Sequence, residues 1–293
     1  MRKTILILIS VLASISLGAQ SLSFLQFPYN PRTAAMGGAG AALSADAFSS
    51  MSNPAAAALS DKSMAVSASY GQWKASESNL IGFGGFYHFG KMAIGLEARY
   101  NGLPAYETFS TVGKDLGQYS PKELAAGANF SYEVIDGLSI GATARFLQSD
   151  LYESAKGTGF GIDLGAQYAA GGLRAGAAVC NLGTEVDYGT SKVSMPALAK
   201  AGVSYSIYGV TGVFEADYVF SGSLMAAIGA EYSLKDILFV RAGYHYGSGD
   251  DAIPSHVSLG LGVRYAGVSL DAAYLTASEQ IGGALSIGIG YTF

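Results

Sequence analysis

Charged side chains are scarce in this 293-residue chain, and other features of soluble or secreted proteins are missing with them. Only 13% of the residues are Asp, Glu, Lys or Arg, against about 25% in average usage. The single cysteine, Cys180, excludes an internal disulfide. No cluster has the spacing of metal ligands, and the net charge of −5 argues against a nucleic-acid partner. We therefore expect no cofactor, no metal and no nucleic acid.

Long apolar runs are also missing beyond the first twenty residues. No later stretch approaches the ~18 uncharged apolar residues that a membrane helix needs. Yet half of the residues are hydrophobic, and Tyr and Phe, which favour strands, number 19 and 14. Because a closed β-barrel is the other structure that satisfies its backbone in lipid, this composition favours a barrel.

The first nineteen residues have the pattern of a secretory signal. Arg2 and Lys3 precede an apolar stretch at 5–17, and the small residues at 16–19 suit cleavage. A membrane anchor is the alternative, for which the apolar stretch is too short. We predict a signal peptide over residues 1–19.

The last thirteen residues show the pattern that most of the chain repeats. From Ile281 to Phe293, large apolar residues alternate with Gly, Ala, Ser and Thr, as in a strand with two different faces. A soluble β-sandwich would carry more charge on its outer face, so the pattern argues against one. The terminal aromatic is typical of outer-membrane barrels, and we interpret Phe293 as an insertion signal.

The same alternation over residues 62–293 predicts fourteen strands. Their apolar rows end in aromatic residues, as expected at a lipid–water boundary. Tight connections follow the even-numbered strands, and long ones follow odd-numbered strands, at 101–121, 149–157, 183–196 and 247–254, with a short turn at 221–222 as the exception. The sequence therefore predicts an all-β fold, a 14-stranded antiparallel transmembrane barrel in outer-membrane lipid.

Residues 20–61 lack this alternation. Their aromatic residues favour docking over a disordered leader, so we predict an amino-terminal plug that packs inside the barrel. Ser44 is a candidate cap for a short helix through Met51, and Asn53-Pro54 for the start of another.

Charges of both signs occupy inward positions of the predicted strands. They either line a substrate path or form ion pairs that hold the plug, with Arg32 and Asp46 as plug partners. The inward charges are Glu97, Arg99, Arg145, Asp163, Glu215, Asp217, Glu231, Arg241, Arg264 and Asp271.

Signals of catalysis are weak. Residues 137–141 match the G-x-S-x-G spacing, but they follow a hairpin turn instead of joining a strand to a helix. His256 and Ser258 share a predicted face without a third residue to orient them. We predict that the chain is not an enzyme.

The amino-terminal segment carries one further pattern, FLQFP from Phe24, MGGAG from Met36 and DAFS from Asp46. Together with an arginine and an Asn-Pro-Ala, it resembles the amino-terminal signature of the PorV/PorQ family of FadL-like outer-membrane barrels. The resemblance implies fourteen strands and a lumen closed by the amino-terminal segment, in the outer membrane of a Gram-negative, Bacteroidetes-like cell. The signature residues that we assign to plug and lumen are Arg32, Met36, Gly37, Gly38, Asp46, Asn53 and Pro54.

The resemblance also implies a role in the type IX secretion system, in which such barrels receive exported proteins at the cell surface through their carboxy-terminal domains. We therefore expect a secretion barrel or exported proteins as partners of the loops at 101–121 and 183–196. Exposed aromatics among charges suit a protein interface, and the first loop offers Tyr106, Phe109 and Tyr119. The chain departs from the family in its modest loops and in Ser52, where an aromatic is usual.

An alternative function stays open. A FadL-like barrel could take up hydrophobic small molecules, which requires an apolar pocket near the plug and an exit from the lumen. A kink in a mid-barrel strand that opens a gap to lipid would favour this alternative.

Overall fold

Fourteen antiparallel strands close into one barrel in the computed structural model, which describes residues 22–74, 77–109, 115–152, 155–189, 191–276 and 283–293. The predicted signal peptide and Ile281 lie outside these residues. The predicted 14-stranded antiparallel barrel is confirmed. The strands are β1 (Met64–Trp73), β2 (Ser78–Phe89), β3 (Met92–Gly102), β4 (Lys122–Ile135), β5 (Leu138–Tyr152), β6 (Ala155–Ala170), β7 (Leu173–Gly183), β8 (Leu198–Ile207), β9 (Val210–Val219), β10 (Leu224–Leu234), β11 (Leu238–Ser248), β12 (His256–Tyr265), β13 (Val268–Leu275) and β14 (Ala284–Thr292).

Each strand pairs with its sequence neighbours, and β1 closes the ring against β14. Val66 stands opposite Tyr291 and Tyr70 opposite Ile287 across this seam. Among the described residues, no helix is long and apolar enough to cross a membrane.

The alternation separates an apolar outer face from a lumen of small and charged residues. On β14, Leu285, Ile287 and Ile289 lie outside with about half of their surface exposed. The inward residues between them are Ser286, Gly288 and Gly290, which leave the lumen room for other chain segments.

The two ends of the barrel differ in their connections. Turns of two or three residues join β2 to β3, β4 to β5, β6 to β7, β8 to β9, β10 to β11 and β12 to β13. We call this end the turn end, and the opposite end the loop end. At the turn end, Tyr208 and Gly209 both have positive φ, 51° and 80°, as a type I′ hairpin turn requires.

One predicted loop is wrong. Residues 149–152 and 155–157 continue the β5–β6 ladder, with Ser149 opposite Gly157 and Asp150 opposite Lys156. These two strands are the longest described, at 15 and 16 residues. Polar residues indicated a loop there, but a barrel strand can continue into water once its apolar row has ended.

Two further loops contain small hairpins at the loop end. Tyr106–Phe109 pairs with Asp115–Tyr119, and Val186–Asp187 pairs with Lys192–Val193. Each extends the connection between two neighbouring barrel strands.

The described part of the amino-terminal segment, residues 22–60, lies inside the barrel in short turns. It contains one helical turn, Pro31–Ala34, and 3-10 turns at Ser23–Gln26, Ser49–Met51 and Ala56–Leu59. The helix expected from Ser44 is reduced to the 3-10 turn at Ser49–Met51, which Ser44 does not cap, whereas Asn53 caps the turn that leads into the 3-10 turn at Ala56–Leu59. Ser44 accepts a hydrogen bond from Arg32, and Asn53 accepts one from the backbone of Ala55.

Candidate functional site

The loop end of the lumen is covered by an apolar layer in which the segment meets the strand ends and an outer loop. Phe27 stacks on Trp73 with ring centroids 4.5 Å apart. Leu22 and Phe24 are fully buried in a cluster that also holds Met195 of the 183–196 loop. This layer separates the lumen from the space beyond the loops.

Below this layer, a short helical turn directs Arg32 at the wall. Asn30 caps the turn by accepting a hydrogen bond from the Arg32 backbone at 3.0 Å, and Pro31 occupies the first helical position. The Arg32 guanidinium then donates to both carboxylate oxygens of Glu231, at 2.8 and 3.1 Å, and to Ser44. Asp46 lies 3.8 Å from the same guanidinium.

Glycines let the segment run directly against the wall. Gly37 has φ 75°, and a Cβ there would lie 2.6 Å from the Tyr244 carbonyl oxygen. The wall also has glycine where a side chain would clash with the segment, because a Cβ on Gly229 would lie 2.6 Å from the Met36 Cβ. The backbone N–H of Gly37 donates to Ser258 at 3.0 Å, and the carbonyl oxygen of Gly37 lies 2.9 Å from His245 Nδ1. The MGGAG sequence thus fits the segment to a wall that is itself rich in glycine.

Substituting these wall glycines should displace the segment. A Cβ on Gly243 would lie 2.7 Å from the Met36 Cα, so we expect Gly243→Val to destabilise the barrel by about 1–3 kcal/mol through overpacking. Gly212 is a matched control, because a Cβ on it would meet nothing within 4 Å; Gly212→Val should stay within ~0.5 kcal/mol of the unsubstituted chain. Urea unfolding in detergent, followed by the heat-dependent electrophoretic mobility of the barrel, measures both. Equal stabilities for the two variants would contradict this packing.

The second half of the segment is held by side-chain contacts with backbone groups. Glu215 accepts hydrogen bonds from the N–H groups of Gly40 and Ala41, at 2.8 and 2.6 Å. Asn53 is fully buried and donates to the carbonyl oxygens of Ala41 and Ala166, at 2.8 and 3.0 Å. Asn53 therefore joins two parts of the segment to the wall at once.

Pro54 and the wall side chains around it continue the same attachment. Asn129 donates to the Pro54 carbonyl oxygen at 3.0 Å. Gln167 donates to the carbonyl oxygens of Ala41 and Leu43, both at 3.1 Å. Charge alone does not mark Asn129, Gln167 and His245 as wall residues that bind the segment. Their inward position in the alternation was the available signal.

The lumen charges form three groups. Arg145 lies between Glu97, at 2.8 Å, and Asp163, while Arg99 binds Glu97 at 3.2 Å and the Leu25 carbonyl oxygen at 2.7 Å. In the second group, Lys200 lies 2.8 Å from Glu215 and 3.8 Å from Asp217.

The third group joins the segment to two further wall residues. Arg241 contacts Glu231 and Asp271, both at 2.6 Å, beside the Arg32–Glu231 pair. Of the predicted inward charges, Arg264 stands outside all three groups. Each group includes a contact with residues 22–60. This favours the interpretation that the charges form ion pairs that hold the segment, and argues against a charged path through an open lumen.

A cavity of about 70 Å³ remains between the segment and the wall. Charged side chains contribute to its lining, among them Arg99, Asp163, Lys200 and Asp217. A cavity that holds benzene measures ~150 Å³ and is apolar. The space in this structure is therefore too small and too polar for a hydrocarbon.

The serines of the two weak catalytic patterns bind the amino-terminal segment in the structure. Ser139 of the G-x-S-x-G match donates to the Ala55 carbonyl oxygen at 2.9 Å. Ser258 accepts from Gly37, and the His256 ring stacks on His245 with centroids 5.0 Å apart. Among the residues that the structure describes, no group of three His, Cys, Asp or Glu side chains is placed to hold a metal ion.

The predicted partner loops differ in what they expose. In the 101–121 loop, Tyr106 and Tyr119 are half-buried, with ring centroids 5.9 Å apart, and Tyr152 joins them at 5.7 Å from Tyr106. The Phe109 side chain lies outside the described residues. In the 183–196 loop, Val186 and Tyr188 are buried in the layer over the segment. The first loop therefore presents aromatic surface, whereas the second closes the lumen.

Phe293 lies at the turn end beside the β1–β14 seam. Its ring packs edge-on against Tyr291 at 4.4 Å, and its backbone N–H donates to Met64 at 2.9 Å. Its role as an insertion signal stays a prediction.

A closed antiparallel barrel with an apolar outer face, aromatic row ends and a lumen occupied by its own amino-terminal segment defines an outer-membrane β-barrel protein. In such barrels the short turns face the periplasm and the longer loops face outward, so the turn end lies on the periplasmic side and the loop end on the outer side.

Solved structures with this fold include the Ralstonia pickettii toluene transporter TbuX (16% identity, TM-score 0.70), covering 93% of this chain and 100% of TbuX. A Pseudomonas aeruginosa FadL homologue is similar at 13% identity and TM-score 0.63, covering 90% and 98% of the two chains.

The family is identified by sequence. A family model described as type IX secretion system protein PorV matches residues 16–207, more than half of the chain. The chain belongs to the PorV family. No curated protein matches it significantly.

Proposed function

We propose that this barrel is a non-enzymatic component of the type IX secretion system that handles exported proteins at the cell surface. The observation that carries the proposal is the closed loop end, where residues 22–29 and the 183–196 loop cover the lumen. A barrel closed in this way offers partners a surface instead of a passage. Membership of the PorV family supports the same assignment.

The partner surface that we propose is the hairpin Tyr106–Phe109 with Asp115–Tyr119. Its aromatic cluster includes Tyr152, whose side chain is 55% exposed. Tyrosine supplies large contact area at low entropic cost and is enriched among the residues that dominate binding energy. Glu107 beside it is exposed, which gives the aromatic cluster a charged rim.

Crosslinking in native membranes followed by pull-down tests this function. We expect recovery of a large secretion barrel or of exported proteins, and we expect Tyr106→Ser with Tyr119→Ser to reduce it. Tyr265→Ser is the matched control, because Tyr265 is exposed at the opposite end of the barrel. Co-purification of lipids or fatty acids without a protein partner would overturn the proposal, as would equal loss in the control.

One observation favours the second candidate, uptake of hydrophobic small molecules. The β6–β7 ladder changes register beside Asp163, where Cys180 and Asn181 together stand opposite that residue. Cys180 and Asn181 also line the cavity, so this bulge lies where a lateral exit would have to open.

Side chains close the bulge in the structure. The Asn181 N–H donates to Asp163 at 2.7 Å, and its amide donates to Pro196 at 3.1 Å. Arg145 donates to the Asn181 side-chain oxygen at 3.0 Å. The toluene transporters of similar fold supply the hypothesis of a hydrocarbon substrate, and their low identity limits that similarity to the fold. Uptake of toluene into proteoliposomes by the unsubstituted chain would favour this candidate over the first.

A further inference from the structure

The turn end opens into a wide vestibule. It has a volume of about 760 Å³, within the range of small-molecule sites. Segment residues 44–48 form one side, and the barrel side of the lining includes Phe86 and Phe239, which are themselves buried. By the orientation of the barrel, this vestibule faces the periplasm.

Two arginines in the vestibule lack acidic partners. Arg174 of β7 donates to the neutral Gln167 at 3.2 Å. Arg264 of β12 lies with its guanidinium carbon 4.4 Å from the centre of the Phe239 ring. Within the described ranges, no carboxylate oxygen lies within 4.0 Å of either guanidinium.

The carboxylates of the same vestibule are all engaged by other groups. Asp271 is bound by Arg241 at 2.6 Å, and Asp46 accepts from Asn30 at 2.8 Å. Asp61 lies 3.0 Å from Lys62, and Asp236 accepts from Ser233 at 2.9 Å. The vestibule therefore presents two guanidinium groups without a carboxylate partner, whereas each of its carboxylates already has an ion-pair or hydrogen-bond partner.

We propose that the vestibule binds a carboxylate-bearing segment of a periplasmic polypeptide. A guanidinium binds a carboxylate through paired N–H donors, and stacking on Phe239 holds the Arg264 plane in place for such a contact. This binding site lies at the opposite end from the outer loops and does not depend on their function.

Anionic lipid is the less suitable ligand. Arg174 and Arg264 occupy inward positions, and their neighbours Leu173, Val263 and Tyr265 face the lipid. A headgroup tethered to acyl chains outside the barrel would have to cross the rim to reach either guanidinium. A polypeptide in the periplasm enters the vestibule directly.

Fluorescence anisotropy with the full chain in phosphatidylcholine nanodiscs tests the proposal. The probe is a hexapeptide of alternating Asp and Phe with a neutral dye, compared with the same peptide carrying Asn for Asp. Because each variant loses one charge-assisted contact, R174Q and R264Q should each weaken binding of the acidic peptide about tenfold. K91Q removes an exposed charge at the same end, outside the vestibule, and should change affinity by less than about twofold.

Equal affinity for the two peptides, no binding by the unsubstituted chain, or affinities unchanged in both arginine variants would overturn the proposal. Heat-dependent electrophoretic mobility verifies that each variant is folded. The same titration in nanodiscs that contain phosphatidylglycerol distinguishes peptide binding from lipid binding. A peptide affinity equal to that in phosphatidylcholine nanodiscs supports the proposal. Retention of this lipid by the purified chain but not by R174Q would overturn it.

Discussion

Planar bilayers containing the intact barrel are expected to show no steady conductance, whereas a variant lacking residues 22–60 should conduct as a water-filled pore. The reason is the packing of this segment against the wall, from the Phe27–Trp73 stack at the loop end to the Arg32–Glu231 pair below it. A barrel of fourteen strands is wider than the eight-stranded barrels that wall side chains can fill. Its inward glycines leave the lumen open once the segment is gone.

A second variant tests the same expectation if the deletion variant does not assemble into a barrel. R32A with E215Q removes two attachments while keeping the chain length, and should give brief openings. K91Q, which changes an exposed charge away from the segment, should stay closed. Steady conductance from the intact chain would contradict the view that residues 22–60 close the lumen.

Replacing Arg145 should cause the largest loss of stability from a single substitution. Arg145 is buried and donates to Glu97 at 2.8 and 2.9 Å and to Asn181 at 3.0 Å, with Asp163 beside it. Removing one partner of a buried ion pair leaves uncompensated charge, so we expect Arg145→Met to lower the free energy of unfolding by about 3–5 kcal/mol. Urea unfolding in detergent measures the loss.

The controls separate buried charge from charge in general. Lys192 pairs with Asp187 at 3.6 Å on the surface, with 63% of its side chain exposed, so Lys192→Met should cost less than about 1 kcal/mol. Adding Glu97→Gln and Asp163→Asn to Arg145→Met removes the stranded negative charges and should recover part of the loss. A cost for Arg145→Met similar to that for Lys192→Met would show that this group does not stabilise the barrel.

The sequence was sufficient for the barrel because lipid imposes a simple rule on each strand. Residues such as Ile287 and Gly288 alternate between lipid and lumen, and one misplaced strand would have reversed the short and long connections that follow. The rule weakens where lipid ends, which is why residues 149–157 were wrongly predicted as a loop.

The path of the amino-terminal segment could not be read in this way. Its contacts join residues distant in sequence, such as Arg32 with Glu231 and Gly37 with Ser258, and no periodicity records them. Inward charges showed which wall residues needed partners. Neutral residues such as Asn129 gave no comparable signal, because an inward Asn can satisfy its hydrogen bonds within the wall.

The enclosed position of residues 22–60 constrains the order of assembly. Leu22 lies under the outer loops, while β1 begins at the turn end, so the chain traverses the whole lumen before its first strand. Once β1 has paired with β14, a continuous ring of strands encloses this stretch. We therefore expect the final pairing of β1 with β14 to close the wall around a segment that has already docked on the earlier strands.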